Sequence, residues 1–366
     1  MKKFDEEQLE LAIIDLFTKQ DYIHQEGEEL HRKYDEVILE EDLSSFLYLK
    51  YPGLTKTELE KTINRIKHIS TYPLYSSNRQ AFFLINEGFN LSRDNNNEMP
   101  LHIDFIDFET PTNNIFKVVN QITISGTRDR RPDMIIFING IPIAIFEFKT
   151  AIKEDTTIYD AWEQIHMRYN RDIPNLTKYC FLSVLSDGAN TKMGSIFTPY
   201  EYYYSWNKAN EDEKVSNGIS ALLTMIKGAF SKERLISILR DFIYYPDDEG
   251  KELAIVTRYP QYFAANKMLE NIKKHLKPNG DGKGGTYFGA TGSGKTYAML
   301  FLSRMLATHY RDVFDAPTII IIVDRDDLSK QTSKLFEDSK QFLKDKKVMS
   351  IPDRQALNDE LANNQS

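Results

Sequence analysis

The run Gly289-Ala-Thr-Gly292-Ser293-Gly294-Lys295-Thr296 restricts the second half of this 366-residue chain to one kind of local architecture. It fits G-x-x-x-x-G-K-[ST], in which glycines let backbone N–H groups turn inward on a phosphate and a helix follows at once. Lys295 is placed to reach the outer phosphates, and the Thr296 hydroxyl to ligate Mg²⁺. The apolar run Thr318–Val323 downstream has the texture of a buried parallel strand, and a short strand is expected just before the loop. Gly289, Gly292, Ser293, Gly294, Lys295 and Thr296 are therefore the candidate ATP contacts. Gln261, in Arg258-Tyr-Pro-Gln261 upstream, resembles the glutamine motif with which superfamily 2 helicases read adenine. Asp324-Arg325-x-x-Leu328-x-x-Gln331 resembles their motif Ia. No acidic tetrad at a strand end follows Gln331, so the motor domain is expected to stop before its DExH box and to lack ATPase activity by itself.

A second pattern lies upstream. Two apolar runs flank Asn139-Gly140, a strong signal for a two-residue hairpin turn. Asp133 opens one run, and Glu147-Phe-Lys149 closes the other. Residues i and i+2 of a strand face the same side, so Glu147 and Lys149 point together. Folding at the turn pairs residues whose numbers sum to about 279 or 280, which brings Asp133 opposite residue 146 or 147. Two converging carboxylates suit Mg²⁺, and the metal with a neighbouring ammonium suits phosphodiester hydrolysis. The bland alternative is an edge hairpin with solvated charges. Against it, Glu147 sits in an apolar strand, where an unpartnered charge is costly. Glu10, on an amphipathic first helix, is a candidate third carboxylate, with Glu6, Glu7 and Asp15 as competitors.

Pro246-Asp-Asp-Glu-Gly250 is the expected boundary, giving domains 1–246 and 247–366. Helices are expected near 6–18, 55–69, 79–86, 158–170, 219–228, 231–241, 261–276 and 297–309, with short strands between residues 101 and 148. The net charge of -8 argues weakly against a nucleic-acid partner, although a local basic groove is enough to hold phosphates. No apolar run approaches the roughly 18–20 residues that span a bilayer. The single cysteine, Cys180, lies in an apolar stretch and reads as a core residue of a reducing compartment, so a cytoplasmic protein is expected. The aromatic run from Tyr200 to Trp206 could stack on bases, but core packing is the commoner use of such a run.

The segment IDFETPTNNIFKVVNQITISGTRDRRPDMIIFINGIPIAIFEFKT closely resembles the motor (R) subunit of Type I restriction enzymes. DAWEQIHMRYNRDIPNL, LSDGANTKMGSI, RYPQYFAANKML, TGSGKT and VDRDDLSKQ extend the resemblance in order. It implies an α/β chain in which a PD-(D/E)xK endonuclease domain precedes a RecA-like parallel-sheet motor. It implies Mg²⁺ and ATP as cofactors, double-stranded DNA as substrate, and methyltransferase and specificity subunits as partners. It assigns Asp133, Glu147 and Lys149 to the nuclease triad and Gly292 to Thr296 to the phosphate loop. The family also carries Q-x-x-x-Y after the E-x-K strand. Here Gln164 and Tyr169 are five apart, about 140° on a regular helix, so the helix is distorted there or the two have different roles. With Arg131 they are the candidate DNA contacts. The rival readings are a solitary helicase–nuclease of DNA repair, and a docking scaffold with a degenerate nuclease fold.

Overall fold

A computed structural model describes residues 6–149, 157–216, 218–248, 250–345 and 347–363. The chain forms two compact units, Met1–Ile243 with Glu252–Tyr259, and Tyr244–Lys251 with Pro260–Ser366. Residues 246–250 fall in the segment that groups with the second unit.

The first unit opens with α1 (Glu6–Thr18), which buries Leu9, Ile13 and Phe17 at four-residue spacing and leaves Leu11 outside. Then come β1 (Ile23–Glu26), α2 (Glu40–Lys50) and α3 (Lys56–Lys67). The Thr55 side chain caps α3 by accepting the Glu58 N–H, and Glu58 returns to the Thr55 N–H, closing a capping box. Next is α4 (Leu74–Glu87), ended by Gly88 at φ 65. A small hairpin, β2 (Phe89–Leu91) and β3 (Leu101–Ile103), precedes the central sheet.

That sheet contains β1, β4 (Phe116–Asn120), β5 (Met134–Ile138), β6 (Ile141–Phe148), β7 (Leu182–Ser186) and β8 (Thr191–Gly194), side by side in this order. The β1–β4 and β6–β7 pairs are parallel and the others antiparallel, so the sheet is mixed. Every residue of β5 and β6 is buried, which explains their nearly unbroken apolar sequence. Between β6 and β7 lie α5 (Ile158–Glu163), one π-helical turn (Gln164–Tyr169) and the short helices α6 (Asn170–Asp172) and α7 (Pro174–Thr177). After β8 come α8 (Ile219–Ala229) and α9 (Lys232–Asp241). Phe17 of α1 meets Phe146 and Phe230 edge-on at 5.9 and 6.0 Å, tying α1 to the sheet. Cys180 is a buried core residue. Within the aromatic run Tyr203 and Trp206 are buried, whereas Tyr202 is exposed.

The hairpin register changes once. Near the turn, Ile138 pairs with Ile141 and Phe137 with Pro142; beyond it, Ile136 pairs with Ala144 and Met134 with Phe146. Ile143 is the extra residue of a β-bulge, and pair sums move from 279 to 280 across it. Continued one step, the register sets Asp133 opposite Glu147.

The second unit carries most of α10 (Tyr259–His275), then α11 (Lys295–Ala307), α12 (Asp326–Glu337), α13 (Lys340–Leu343) and α14 (Arg354–Asn363). Its small core gathers Tyr244, Phe301 and Phe342, whose rings lie 5.3 and 6.2 Å apart about Phe342. The expected parallel sheet is not formed among the described residues of this unit. Neither residues 286–288 nor 318–323 are in a strand, and Phe288, Ile320 and Ile322 are exposed. A parallel strand takes its hydrogen bonds and its burial from flanking strands, and none of the described residues supplies them here. Among the described residues no helix is long and apolar enough to cross a membrane.

Candidate functional site

The bulge at Ile143 decides which face of the sheet carries the chemistry. Residues directly opposite in an antiparallel pair share a face, and neighbours along a strand alternate. With the bulge, Asp133, Glu147 and Lys149 come to one face. The Phe148 N–H donates to Asp133 Oδ2 at 2.7 Å, fixing that carboxylate against the end of β6. The Gln121 N–H donates to the Asp133 carbonyl at 2.9 Å, which ties the same residue to the end of β4.

Glu147 is 1% exposed and holds donors on both oxygens. Lys149 Nζ donates to Oε1 at 2.6 Å and the Tyr169 hydroxyl to Oε2 at 2.9 Å. Gln164 joins the two donors: its Oε1 accepts from Lys149 Nζ at 2.9 Å, and its Nε2 donates to the Tyr169 hydroxyl at 2.7 Å. Glu147, Lys149, Gln164 and Tyr169 thus form a closed ring of hydrogen bonds.

The five-residue spacing of Gln164 and Tyr169 is resolved by the π-helical turn. The Asn170 N–H reaches back five residues to the Ile165 carbonyl, so residues five apart stack on one face. The helix is distorted where the spacing required it. Both side chains face the Glu147–Lys149 pair, and Tyr169, 1% exposed, turns its hydroxyl to Glu147. Burial, then the charge of Glu147, raises the Tyr169 hydroxyl far above its usual range and keeps it a phenol. Gln164 is half-buried, and Arg131 is exposed two residues before Asp133.

Burial first, and then the charge of Asp133, push the Glu147 carboxyl up to about 8, against the pull of Lys149 and Tyr169. A carboxylate with donors on both oxygens, facing a second carboxylate, fits a hard divalent cation. Mg²⁺ commonly binds through one or two carboxylates and fills its remaining positions with water and phosphate oxygens. Asp133 and Glu147 would hold it. Among the described residues no group of three or more His, Cys, Asp or Glu is arranged to hold a metal, so Glu10 does not complete a preformed three-carboxylate set. The Glu10 carboxylate is instead held by Asn120 Nδ2 at 2.8 Å and Gln121 Nε2 at 2.7 Å, at the end of β4. The two amides escaped the sequence reading; a polar Asn-Gln pair closing the apolar run FKVV was the signal.

In the second unit, Gly292 and Gly294 take positive φ values of 77 and 79, as a phosphate-cradling loop requires. The α11 helix starts at Lys295, with Gly294 as its N-cap. Gln261 is buried, and its Nε2 donates to the Gly294 carbonyl at 3.3 Å; a Cβ at Gly294 would overlap that amide. Lys295 Nζ donates to the Gly289 and Ala290 carbonyls at 2.8 and 2.9 Å. Gly289, Gly292, Ser293, Gly294, Lys295 and Gln261 are therefore gathered in one place, with Thr296 following in the first turn of α11.

A family model described as Type I restriction enzyme R protein N terminus matches residues 3–202, and one described as SWI2/SNF2 ATPase matches residues 260–366. The chain is 26% identical over 335 residues to the Type I restriction enzyme HindI endonuclease subunit of Haemophilus influenzae, covering 90% of this chain and 31% of that protein. It is 30% identical over 381 residues to a Methanocaldococcus jannaschii protein provisionally named type I restriction enzyme MjaIXP endonuclease subunit, covering 95% and 35%. A Staphylococcus aureus relative, the SauCOLORF180P endonuclease subunit, is 23% identical over 77% of this chain and 28% of its own length. The chain thus spans about a third of the length of these relatives. With over half its residues matched by the first model, the chain belongs to the Type I restriction enzyme R protein N terminus family.

Proposed function

We propose that this chain contains the nuclease and the start of the ATP-driven motor of a Type I restriction enzyme, acting on double-stranded DNA. In this reading the mixed sheet is a PD-(D/E)xK nuclease fold, with 1–246 and 247–366 as its two domains. The observation that carries the reading is the ring of Glu147, Lys149, Gln164 and Tyr169 beside Asp133. Asp133 and Glu147 would hold Mg²⁺, and the ion would supply Lewis-acid polarisation of the scissile phosphate and a lowered pKa for an attacking water. Lys149 presents its ammonium to the charge that develops on the phosphate, its position set by Glu147 and Gln164. Tyr169 keeps Glu147 in the rotamer that faces Asp133.

The phosphate loop would bind ATP, with Lys295, now on the Gly289 and Ala290 carbonyls, available to the outer phosphates and Thr296 available to the nucleotide's Mg²⁺. ATP hydrolysis by the complete subunit, assembled with methyltransferase and specificity subunits in the cytoplasm, pulls DNA to the nuclease before cutting. Asp133→Ala or Lys149→Ala should abolish DNA cleavage by the complete assembly and leave ATP hydrolysis at its parent rate. Loss of both activities together would overturn the division of labour proposed here.

A further inference from the structure

Next to the nuclease ring lies a second polar arrangement that the proposed chemistry does not use. Asp172, at the end of α6, is 1% exposed. It accepts from Arg171 Nε at 2.7 Å and Nη2 at 3.1 Å, from Arg130 Nε at 2.8 Å, and from Arg130 Nη2. Its carbonyl accepts the Thr127 N–H at 2.9 Å, and a Cβ at Gly126 would overlap that same carbonyl. The loop from Gly126 to Arg131 is therefore latched to the end of the helix that bears Gln164 and Tyr169. Hydrogen bonds from Arg171, ahead of those from Arg130, hold the Asp172 carboxyl far below the usual carboxylate range despite its burial.

The latch leaves other arginines in the open. Arg128 and Arg131 on the loop, and Arg168 on the π-helical turn, are exposed and take no side-chain partner among the described residues. Arg131 is two residues from Asp133 and Arg168 is next to Tyr169, so these cations border the site from both of its supporting segments. Asp129 is the one acid on the loop. The chain carries a net charge of -8, so a local excess of guanidinium runs against its overall field. Guanidinium groups suit phosphate oxygens, and such contacts fix a duplex in position without reading its sequence.

We infer that Arg128, Arg131 and Arg168 form a backbone-phosphate clamp for duplex DNA, and that Asp172 is the positioning residue that sets its register against Asp133 and Glu147. This rests on the nuclease reading of the same site. The test is duplex binding by the 366-residue chain with Ca²⁺ in place of Mg²⁺, titrated with potassium chloride from about 50 to 200 mM. Arg128→Ala, Arg131→Ala and Arg168→Ala should each lower the slope of log affinity on log salt by about 0.9, equally on unrelated sequences. The corresponding lysine variants should keep the parent slope. Asp172→Asn should weaken binding, and adding Arg128→Ala to it should cost less than Arg128→Ala alone costs the parent, because the two act through one loop. Circular dichroism melts identify any variant that has merely unfolded, and the lysine variants then carry the test. Unchanged slopes in all three alanine variants, or no duplex binding by the parent chain, would overturn the clamp. The nuclease reading fails separately, if Asp133→Asn still cleaves in the full assembly.

Discussion

Glu147 is placed where charge is opposed, yet its donors are arranged for a carboxylate. Its folded pKa of about 8 lies above the ordinary 4.5, so between these values the metal-free folded protein keeps a proton that the unfolded chain has released. Stability from this group is therefore complete below about 4.5 and lost as pH rises to about 8. Glu147→Gln removes the titration. The melting temperature of the metal-free variant should exceed the parent's at pH 8 by more than it does at pH 5, the gain being at least about 2–4 °C. Saturating Mg²⁺ should stabilise the parent and leave the variant unmoved. Melts that run parallel across pH would place the proton elsewhere. The nearness of Asp133 and Glu147 across the hairpin was legible in the sequence because strand pairing about a two-residue turn is a local rule. The exact partner was not, since the choice between sums of 279 and 280 hangs on a bulge that no residue type announces; Ile143 is one isoleucine among many.

At the scale of elements, the π-helical turn shows what a single extra residue does. Gln164 and Tyr169 would be about 140° apart on a regular helix; with one residue fewer they would be about 40° apart and could share a face without distortion. Met167 lies inside the turn and is 60% exposed, so nothing packs tightly on it. Deleting Met167 should relax the turn to ordinary α-helix and keep the ring of hydrogen bonds, with cleavage by the assembled enzyme within about tenfold of the parent. Inserting an alanine after Met167 should instead cost about 10–100-fold, the worth of the lost hydrogen bond to Glu147. If the deletion is as damaging as the insertion, the turn does more than set phase. Helix positions were widely legible, as the Thr55–Glu58 box shows, because caps and periodicity are written locally. The strands expected just before the phosphate loop and at 318–323 are not formed among the described residues, because a parallel strand is made by neighbours distant in sequence.

For the whole molecule, the two candidate sites sit in separate compact units, which sets what each can do without the other. Lys295→Ala in the full-length subunit should stop ATP turnover and thereby cutting of long DNA, although Asp133, Glu147 and Lys149 are intact. Normal cutting by that variant would refute translocation before cleavage. The 366-residue polypeptide itself should bind ATP weakly and show no steady turnover. Its loop supplies ground-state contacts, whereas an arginine finger alone accounts for about 10³–10⁵ in rate in related phosphoryl transfers. Turnover by this chain, lost on Lys295→Ala, would show that it holds a complete ATPase.

The bulge at Ile143 gives the hairpin that joins Asp133 to Glu147 a rule of parity. Removing Ile143 itself would leave a regular hairpin with Asp133 still opposite Glu147, whereas removing or adding one other residue between the turn and Glu147, with the bulge kept, would rotate Glu147 and Lys149 through the sheet to the opposite side from Asp133. Two such changes together would restore them. Relatives of this chain should therefore tolerate spacers of different length between the aspartate and the glutamate only where the residues left after turn and bulge are set aside form an even count. A search that counts residues between the two acids sees only length, whereas the hairpin is sensitive to odd and even.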